Sequence, residues 1–209
     1  APFRDRTLLI ASQESSVDQV RFTAYGTQAR VHHHDRWYTI AIPNTWSHSI
    51  INSYRLGLET ILTLGLDIDN AIDSFTRHYT PAPGRARILH GIRSSVIVDD
   101  SYNASPIAVA SALEMFRQVS APARRIFLFG DMKELGEHAD QAHVDVGTQA
   151  AEIVDLFVIV GDDSKLAAAS AKEAGMHSNQ IIQLDTAREA GEYLKREIKH
   201  RDYVLAKAS

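Results

Sequence analysis

Three apolar stretches decide the fold: S-V-I-V at 95–98, R-I-F-L-F at 125–129 and L-F-V-I-V at 156–160. Each is a nearly continuous apolar run, which is typical of strands buried on both faces of a sheet. Two more strand-like runs follow, I-I-Q-L at 181–184 and Y-V-L-A at 203–206. Segments with apolar residues at helical spacing separate the five runs. This alternation predicts right-handed βαβ units and a mostly parallel, doubly wound sheet of the Rossmann-like α/β class.

The first 80 residues follow another pattern. Short β-rich runs at 7–11, 20–25, 29–32 and 37–42 are followed by two segments of helical period, from about residue 51 to 62 and from 68 to 78. The stretch T-P-A-P-G-R (80–85) concentrates prolines and a glycine, as linkers and boundaries do. We therefore predict two domains, a β-rich and helical one over 1–82 and the α/β domain over 83–209.

Composition limits the classes of function. The chain has 209 residues, 22 basic and 26 acidic side chains and no cysteine. Disulfides, thiolate zinc sites and a cysteine nucleophile are therefore excluded. A net charge of −4 is no electrostatic signature of nucleic-acid binding, and no apolar run is long enough to span a membrane. Strand-like sequence begins at once without a methionine, so we expect the chain to be part of a longer protein.

Acidic residues follow three of the predicted parallel strands. Asp99 and Asp100 follow the first, Asp131 follows the second, and the pair at 162–163 follows the third, while Lys207 ends the last. Open parallel sheets bind ligands at the carboxyl ends of their strands. Aspartate also caps helices, and capping is the expected role at 162–163. The loop D-D-S-Y-N-A-S-P (99–106) contains more polar residues than a helix cap requires, which indicates a binding loop.

These motifs resemble those of the Mur ligases, most of all the members that add D-alanyl-D-alanine to a UDP-muramoyl tripeptide. D-D-S-Y-N-A-S-P is similar to the motif that opens their carboxyl-terminal domain, with P-G-R (83–85) at the expected distance before it. G-D-M-K-E-L-G-E-H (130–138) with His143 and Gly147, the terminal K-A-S, and H-S-I-I-N (48–52) match further family motifs. The similarity extends from about residue 37 to the end of the chain.

The resemblance implies a fold and an activity. Residues 1–82 would be the last part of the central ATPase domain, and 83–209 the Rossmann-like carboxyl-terminal domain. The whole protein would be an ATP-dependent ligase of peptidoglycan precursor synthesis, and so of the cell wall and cell shape. It would join a UDP-muramoyl peptide to D-alanyl-D-alanine or another amino acid or dipeptide through an acyl phosphate. We expect a cytoplasmic monomer without nucleic-acid or membrane partners.

The resemblance also implies a role for each matched residue. The nucleotide would be bound by His48 and Asn52 beside the adenine, Arg85 near the phosphates, Asp100 at the ribose, and Tyr102 and Asn103 in the adjoining loop. The catalytic residues would be Asp131, His143 and Lys207. The second substrate would also contact Asp99, Glu134 and Ser209.

A phosphate-binding glycine-rich loop and the magnesium ligands are expected upstream, since no G-x-x-x-x-G-K-[ST] occurs here. We therefore expect the 209 residues alone to be inactive, and we expect no metal ligands among them. The triple histidine at 32–34 lacks the spacing of a metal site and is interpreted as part of a hairpin.

Three departures from the family pattern leave alternatives open. Trp46 and Ala208 stand where the family has glycine, and Ser49 where it has asparagine. Position 208 is one where a positive φ could be needed, which a Cβ disfavours. The alternatives are a related ligase of the folylpolyglutamate or cyanophycin type, and a non-catalytic Rossmann-like binding module. An intact phosphate-binding loop upstream would favour the enzyme.

Overall fold

The computed structural model describes residues 15–33, 35–119 and 124–209. The predicted strand at 7–11 and His34 of the triple histidine lie outside the described residues. Two compact units form. Unit 1 comprises the described residues up to Arg21 together with Thr27–Pro43 and Ser47–Thr80. Unit 2 comprises Phe22–Gly26, Asn44–Trp46 and Pro81–Ser209. The assignment of 1–82 and 83–209 to two family domains stays a prediction.

Unit 1 is built on a three-stranded sheet in the order β1-β2-β3. The strands are β1 (Ser15–Thr23), β2 (Gly26–His33) and β3 (Arg36–Pro43), and two helices follow, α1 (His48–Thr63) and α2 (Ile68–His78). The side chains of Ser47 and Asp67 accept hydrogen bonds from backbone N–H groups in the first turns of these helices. The inward face of the sheet and the apolar faces of the helices form one core, which includes Val31, Ile40, Ile42, Ile51, Tyr54 and Leu58.

Unit 2 contains the predicted mostly parallel sheet, which confirms the α/β fold class. Its strand order is β4-β5-β9-β6-β7-β8, and only β4 runs antiparallel to its neighbour. The strands are β4 (Arg87–His90), β5 (Val96–Asp100), β6 (Arg125–Gly130), β7 (Leu156–Val160), β8 (Ile181–Leu184) and β9 (Tyr203–Lys207). The helices are α3 (Pro106–Arg117), α4 (Ala139–Ile153), α5 (Lys165–Glu173) and α6 (Ala187–Glu197). The short edge strand β4 was not predicted.

The apolar strands are buried as their sequence predicts. Phe127 of β6 and Phe157 of β7 are fully buried, and their parallel rings stack 5.3 Å apart. On one face of the sheet, α6 covers Ile126, Val158 and Val204. Within the described part of the chain, no helix is long and apolar enough to cross a membrane.

Trp46 belongs to the core of unit 2. Its side chain is 1% exposed and its ring stacks on Tyr203 at 5.7 Å. Its indole N–H donates to the carbonyl oxygen of Thr23 at 2.7 Å. The large ring therefore fills apolar space that a glycine would leave empty, which accounts physically for one of the three departures noted above.

Candidate functional site

The predicted site residues of unit 2 meet at the carboxyl edge of its sheet. Strand β9 lies between β5 and β6, although it is the last strand in the sequence. Lys207 is therefore in register with Asp100 on one side and with Phe129, next to the end of β6, on the other. The loop after β5, the loop after β6 and the chain end are consequently neighbours.

Lys207 is buried beneath this edge. Its side chain is 2% exposed, and its ammonium group donates to Asp100 Oδ2 at 2.7 Å and to the carbonyl oxygen of Asn103 at 2.9 Å. The carbonyl oxygen of Asp100, at 3.4 Å, is a third acceptor. A buried ammonium requires such partners, because an unpaired charge in the interior is strongly destabilising. The sequence predicted a catalytic Lys207, but this geometry leaves none of its three N–H groups available to a substrate.

The two aspartates that end β5 bind the backbone of residues 84–86. Asp99 Oδ2 accepts from the Gly84 N–H, and Asp100 Oδ1 accepts from the Ala86 N–H, each at 3.0 Å. Gly84 has a φ of +69°, and a Cβ there would lie 2.9 Å from the Tyr102 nitrogen. Only glycine combines that φ with so close an approach at little cost. Asp99 therefore has a local structural role, and Asp100 joins Lys207 to the segment that carries Arg85.

Arg85 and Tyr102 form an exposed pair above these bonds. The guanidinium carbon of Arg85 lies 3.9 Å from the centroid of the Tyr102 ring, and the ring is 65% exposed. This is a cation–π arrangement, which orients the guanidinium without using its N–H donors. Asn103 is also exposed at the side chain, while its carbonyl oxygen is bound by Lys207. The pair presents a fixed positive charge to solvent.

The chain end connects the two loops. The Ser209 hydroxyl accepts from the Ala104 N–H at 3.0 Å, and the Ser209 N–H donates to the Asp131 carbonyl oxygen at 3.3 Å. Ala208 precedes Ser209, and its Cβ lies 2.8 Å from the position that a Cβ on Gly130 would occupy. Ala208 is not among the described residues with positive φ, so its Cβ brings no backbone strain. The glycine of the family motif is not required at 208.

Asp131 is held at the start of α5. Its Oδ1 accepts from the Ser164 N–H and its Oδ2 from Lys133, both at 2.9 Å. Burial raises the pKa of Asp131, but the bonds from Lys133 and Ser164 outweigh burial, so the pKa lies below its usual value. The carboxylate is therefore ionised near neutral pH. An anion of this kind orients an ammonium group well and is a weak proton acceptor.

His143 lies inside unit 2. It is completely buried, its Nε2 accepts from the Met132 N–H at 3.1 Å, and its Nδ1 lies 2.7 Å from the Ala139 carbonyl oxygen. These contacts require the neutral ring with its proton on Nδ1. The sequence predicted catalysis by His143, whereas here Nε2 supports the loop after β6 and Nδ1 bonds to the first residue of α4. Glu134 of that loop is exposed, with a φ of +63° that is rare for a non-glycine residue.

The two predicted adenine contacts belong to unit 1. His48 is the first residue of α1, and Asn52 lies one turn later with an exposed side chain. Ser49 is also exposed, and its hydroxyl lies 2.8 Å from that of the capping Ser47. The described residues contain no group of three or more His, Asp or Glu side chains arranged to hold a metal ion.

The family model for the Mur ligase, glutamate ligase domain matches residues 84–209, which is more than half of the chain. The chain belongs to the Mur ligase family. The matched range contains both loops and the chain end described above. It begins at Gly84, the first of the residues that Asp99 and Asp100 bind.

Curated relatives carry one name, UDP-N-acetylmuramoyl-tripeptide–D-alanyl-D-alanine ligase. The Escherichia coli protein is 26% identical over 168 residues, which cover 80% of this chain and 36% of the relative. The Rickettsia prowazekii protein is 29% identical over 63% of this chain and 29% of the relative. The chain thus spans about a third of the length of these Mur ligases.

Solved structures share the fold. The MurF ligase from Thermotoga maritima in complex with ADP superposes with a TM-score of 0.75 at 24% identity, over 94% of this chain and 43% of that one. The UDP-N-acetylmuramate–alanine ligase MurC from the same organism superposes with a TM-score of 0.70 at 13% identity, over 93% of this chain and 42% of that one. A bifunctional folylpolyglutamate synthase/dihydrofolate synthase from Yersinia pestis superposes with a TM-score of 0.60 at 14% identity, over 94% of this chain and 43% of that one. At these identities the likeness shows a common fold.

Sequence reasoning missed the backbone groups that complete this candidate site. The N–H groups of Gly84, Ala86, Ala104 and Ser164 each bind a side chain of a predicted site residue. Backbone donors carry no side-chain signature, so residue type does not indicate them. Of these four residues, only Gly84 was indicated by the sequence, because it is the glycine of the P-G-R motif.

Proposed function

We propose that this chain is part of an ATP-dependent amide ligase that acts on a peptidoglycan precursor. The reaction would join a UDP-muramoyl peptide to D-alanyl-D-alanine, or to another amino acid or dipeptide, through an acyl phosphate. The observation that supports this most strongly is the carboxyl edge of unit 2. There, the exposed Arg85 of the segment before β4 lies next to the residue that binds Asp100 at the end of β5. The ionised Asp131 follows β6, and Ser209 contacts both the loop after β5 and Asp131.

The loop after β5 and the preceding residues suit a nucleotide. The Arg85 guanidinium is exposed and held over Tyr102, so it can bind a phosphate without first being ordered. Asp100 is 20% exposed at its side chain, and each of its oxygens accepts one bond and retains acceptor capacity for a ribose hydroxyl. Asn103 is exposed beside them. We assign His48 and Asn52 of unit 1 to the adenine on the family resemblance.

The loop after β6 suits an amine substrate. The lowered pKa of Asp131 keeps its carboxylate charged, so we propose that it binds and orients the ammonium of the incoming amino acid. Glu134 is exposed on the same loop, and Ser209 joins it to the loop of Asp99. His143 supports this loop from below through Met132. Its proposed role is therefore to position Asp131 and Glu134.

ATP is the proposed nucleotide, and magnesium is proposed to accompany it. Magnesium prefers oxygen ligands and bound phosphates, and we place its protein ligands in the family's upstream segment, outside these residues. When bound, the ion would neutralise phosphate charge during transfer. A cytoplasmic location and a monomeric state are likewise proposed from the family.

The alternative ligase shares the fold, since the folylpolyglutamate synthase superposes as well. The curated relatives favour the muramoyl-peptide ligase, because they carry its name over up to 87% of this chain. The amine substrate is the point that separates the two proposals.

The test is product formation by the full-length protein. ADP release is measured with ATP, magnesium and a UDP-muramoyl tripeptide, with D-alanyl-D-alanine as the amine, and in parallel with a folate and glutamate. We expect release only with the muramoyl substrate. In Asp100→Asn the KM for ATP should rise about tenfold, because one hydrogen bond to a charged group is weakened by ~1.5 kcal/mol or more. Asp185→Asn is the control.

Asp185 is an exposed residue that follows β8 at the same edge of the sheet, so its substitution should leave the KM for ATP unchanged. ADP release with the folate and not with the muramoyl peptide would establish the alternative ligase. No ADP release with either pair, from a folded protein that contains an intact phosphate-binding loop, would support the non-catalytic module.

A further inference from the structure

A fully paired lysine is connected through hydrogen bonds to the exposed Arg85–Tyr102 pair of unit 2. Lys207 is 2% exposed, whereas Tyr102 is 65% exposed. One chain of contacts connects them: Lys207 binds Asp100, Asp100 binds the Ala86 N–H, and Ala86 follows Arg85, whose guanidinium rests on Tyr102. The lysine reaches the exposed pair only through the aspartate and the backbone.

A second contact runs parallel to the first. Lys207 also binds the carbonyl oxygen of Asn103, the residue after Tyr102. Both ends of the exposed pair are thus anchored to the same ammonium, the arginine through Asp100 and the tyrosine through the neighbouring peptide group. Ala86, with a φ of +52°, is in a strained conformation that persists only where surrounding contacts hold it.

We propose that Lys207 is a positioning residue for nucleotide binding, which fixes Arg85 and Tyr102 by holding Asp100 and the Asn103 peptide group and does not itself touch a substrate. The proposal rests on the function proposed above and differs from the catalytic role predicted from the family resemblance. It makes a specific statement about coupling: the effect of Lys207 on Arg85 passes through Asp100, and only its bond to the Asn103 carbonyl oxygen acts independently of that aspartate.

The physical reason is the saturation of the Lys207 donors. All three N–H groups of Lys207 face acceptors within the protein, so the lysine has no donor left for a phosphate or an amine. Removing only the lysine leaves the Asp100 carboxylate buried beside a vacant position, and such a carboxylate moves toward solvent. The Ala86 N–H then loses its acceptor, and the segment that carries Arg85 becomes less well fixed.

A double-mutant cycle tests the coupling in the full-length protein. The variants are Lys207→Met, Asp100→Asn and the two combined, and the measurement is the Kd of ADP by calorimetry. We expect each single substitution to raise the Kd about tenfold. Because the effect of Lys207 on Arg85 passes through Asp100, the combined variant should raise the Kd far less than the hundredfold that two independent losses would give. The second substitution removes only the bond to the Asn103 carbonyl oxygen. At saturating ATP, the kcat of the combined variant should equal that of Asp100→Asn.

The matched control is a second buried ion pair at the opposite end of the same strand. Asp202 immediately precedes β9, is 3% exposed at its side chain and binds Arg124 at 2.7 Å. It lies about 16 Å from Lys207 along the extended chain. The Arg124→Met and Asp202→Asn variants should lower the unfolding temperature, as Lys207→Met does, and leave the Kd of ADP unchanged.

A second measurement does not depend on nucleotide. In hydrogen exchange of the 209-residue chain, Lys207→Met should accelerate the amides of residues 84–86 and 101–104 at least tenfold, while those of α4 remain unchanged. If these amides are unaffected, or if the combined variant raises the Kd about a hundredfold, the positioning role is wrong. If wild-type protein binds no ADP but the exchange result holds, the anchoring of residues 84–86 and 101–104 by Lys207 stands and the proposed nucleotide function fails.

Discussion

The most informative single substitution is His143→Ala, because the sequence and the structure predict different results. A catalytic histidine would be removed with little effect on folding. In the structure, the substitution leaves the buried Met132 N–H without an acceptor and opens a cavity beside Phe129, whose ring centroid lies 5.8 Å from that of the histidine. The unpaired N–H costs about 1–3 kcal/mol and the cavity about 2 kcal/mol, so unit 2 should lose about 4 kcal/mol.

The assay uses the two tryptophans of the chain. Trp46 is buried in unit 2, whereas Trp37 belongs to unit 1 and is 41% exposed. A Trp37→Phe background therefore leaves one fluorophore that reports on unit 2 alone. With a urea m-value of about 2 kcal/mol per molar, a loss of 4 kcal/mol moves the midpoint down by about 2 M.

The control is His138→Ala in the same background. His138 belongs to the same motif, but its side chain is 83% exposed, so the midpoint should shift by the equivalent of less than about 0.5 kcal/mol. A His143→Ala protein with a normal midpoint and no ligase activity would refute the positioning role and restore the catalytic one.

Three further outcomes are expected. Gly147→Ala should cost unit 2 about 3 kcal/mol in the same fluorescence assay, because a Cβ there would lie 2.0 Å from the Ala167 carbonyl oxygen, within the tight packing of α4 on α5. Gly84→Ala should cost about 1–2 kcal/mol from its positive φ alone, and an unchanged midpoint would contradict the described conformation. The fold lowers the pKa of Asp131, mainly through the bond from Lys133. At a pH above the pKa of about 3.9 that this carboxyl has in the unfolded chain, the ionised group therefore stabilises the folded state. This stabilisation disappears as the pH falls through the lower pKa of the folded state. Asp131→Asn should therefore show a smaller loss of stability between pH 7 and pH 3 than the parent protein, and equal losses would contradict the lowered pKa.

The sequence determined the elements and the edge on which the site lies. Apolar runs and helical spacing are local properties, so they predicted the parallel strands and helices of unit 2. Because the polar motifs directly follow these strands, they also predicted that Asp99, Asp100 and Asp131 gather at the carboxyl edge. Parallel strands present that end together whatever their order.

For His143, the helical spacing of the sequence indicated a buried position, but the prediction followed the motif match instead. The residue shares a helical face with Ala142, Val146 and Ala150, all of which are buried. The spacing therefore pointed to the core, while the motif match suggested catalysis. Burial prevailed because α4 packs this face against the sheet, where a neutral histidine with both nitrogens bonded is stable.

Only the tertiary structure decided where Lys207 lies and which groups it binds. The residue is 107 positions from Asp100, and nothing local indicates that β9 inserts between β5 and β6. That strand order makes the two residues neighbours, and burial then requires their charges to pair. An apolar pattern or a sequence motif is a property of a short segment. The bonding partner and the burial of a side chain depend instead on which distant strands lie side by side. The same lysine is thus a catalytic candidate in the sequence and a buried support in the fold.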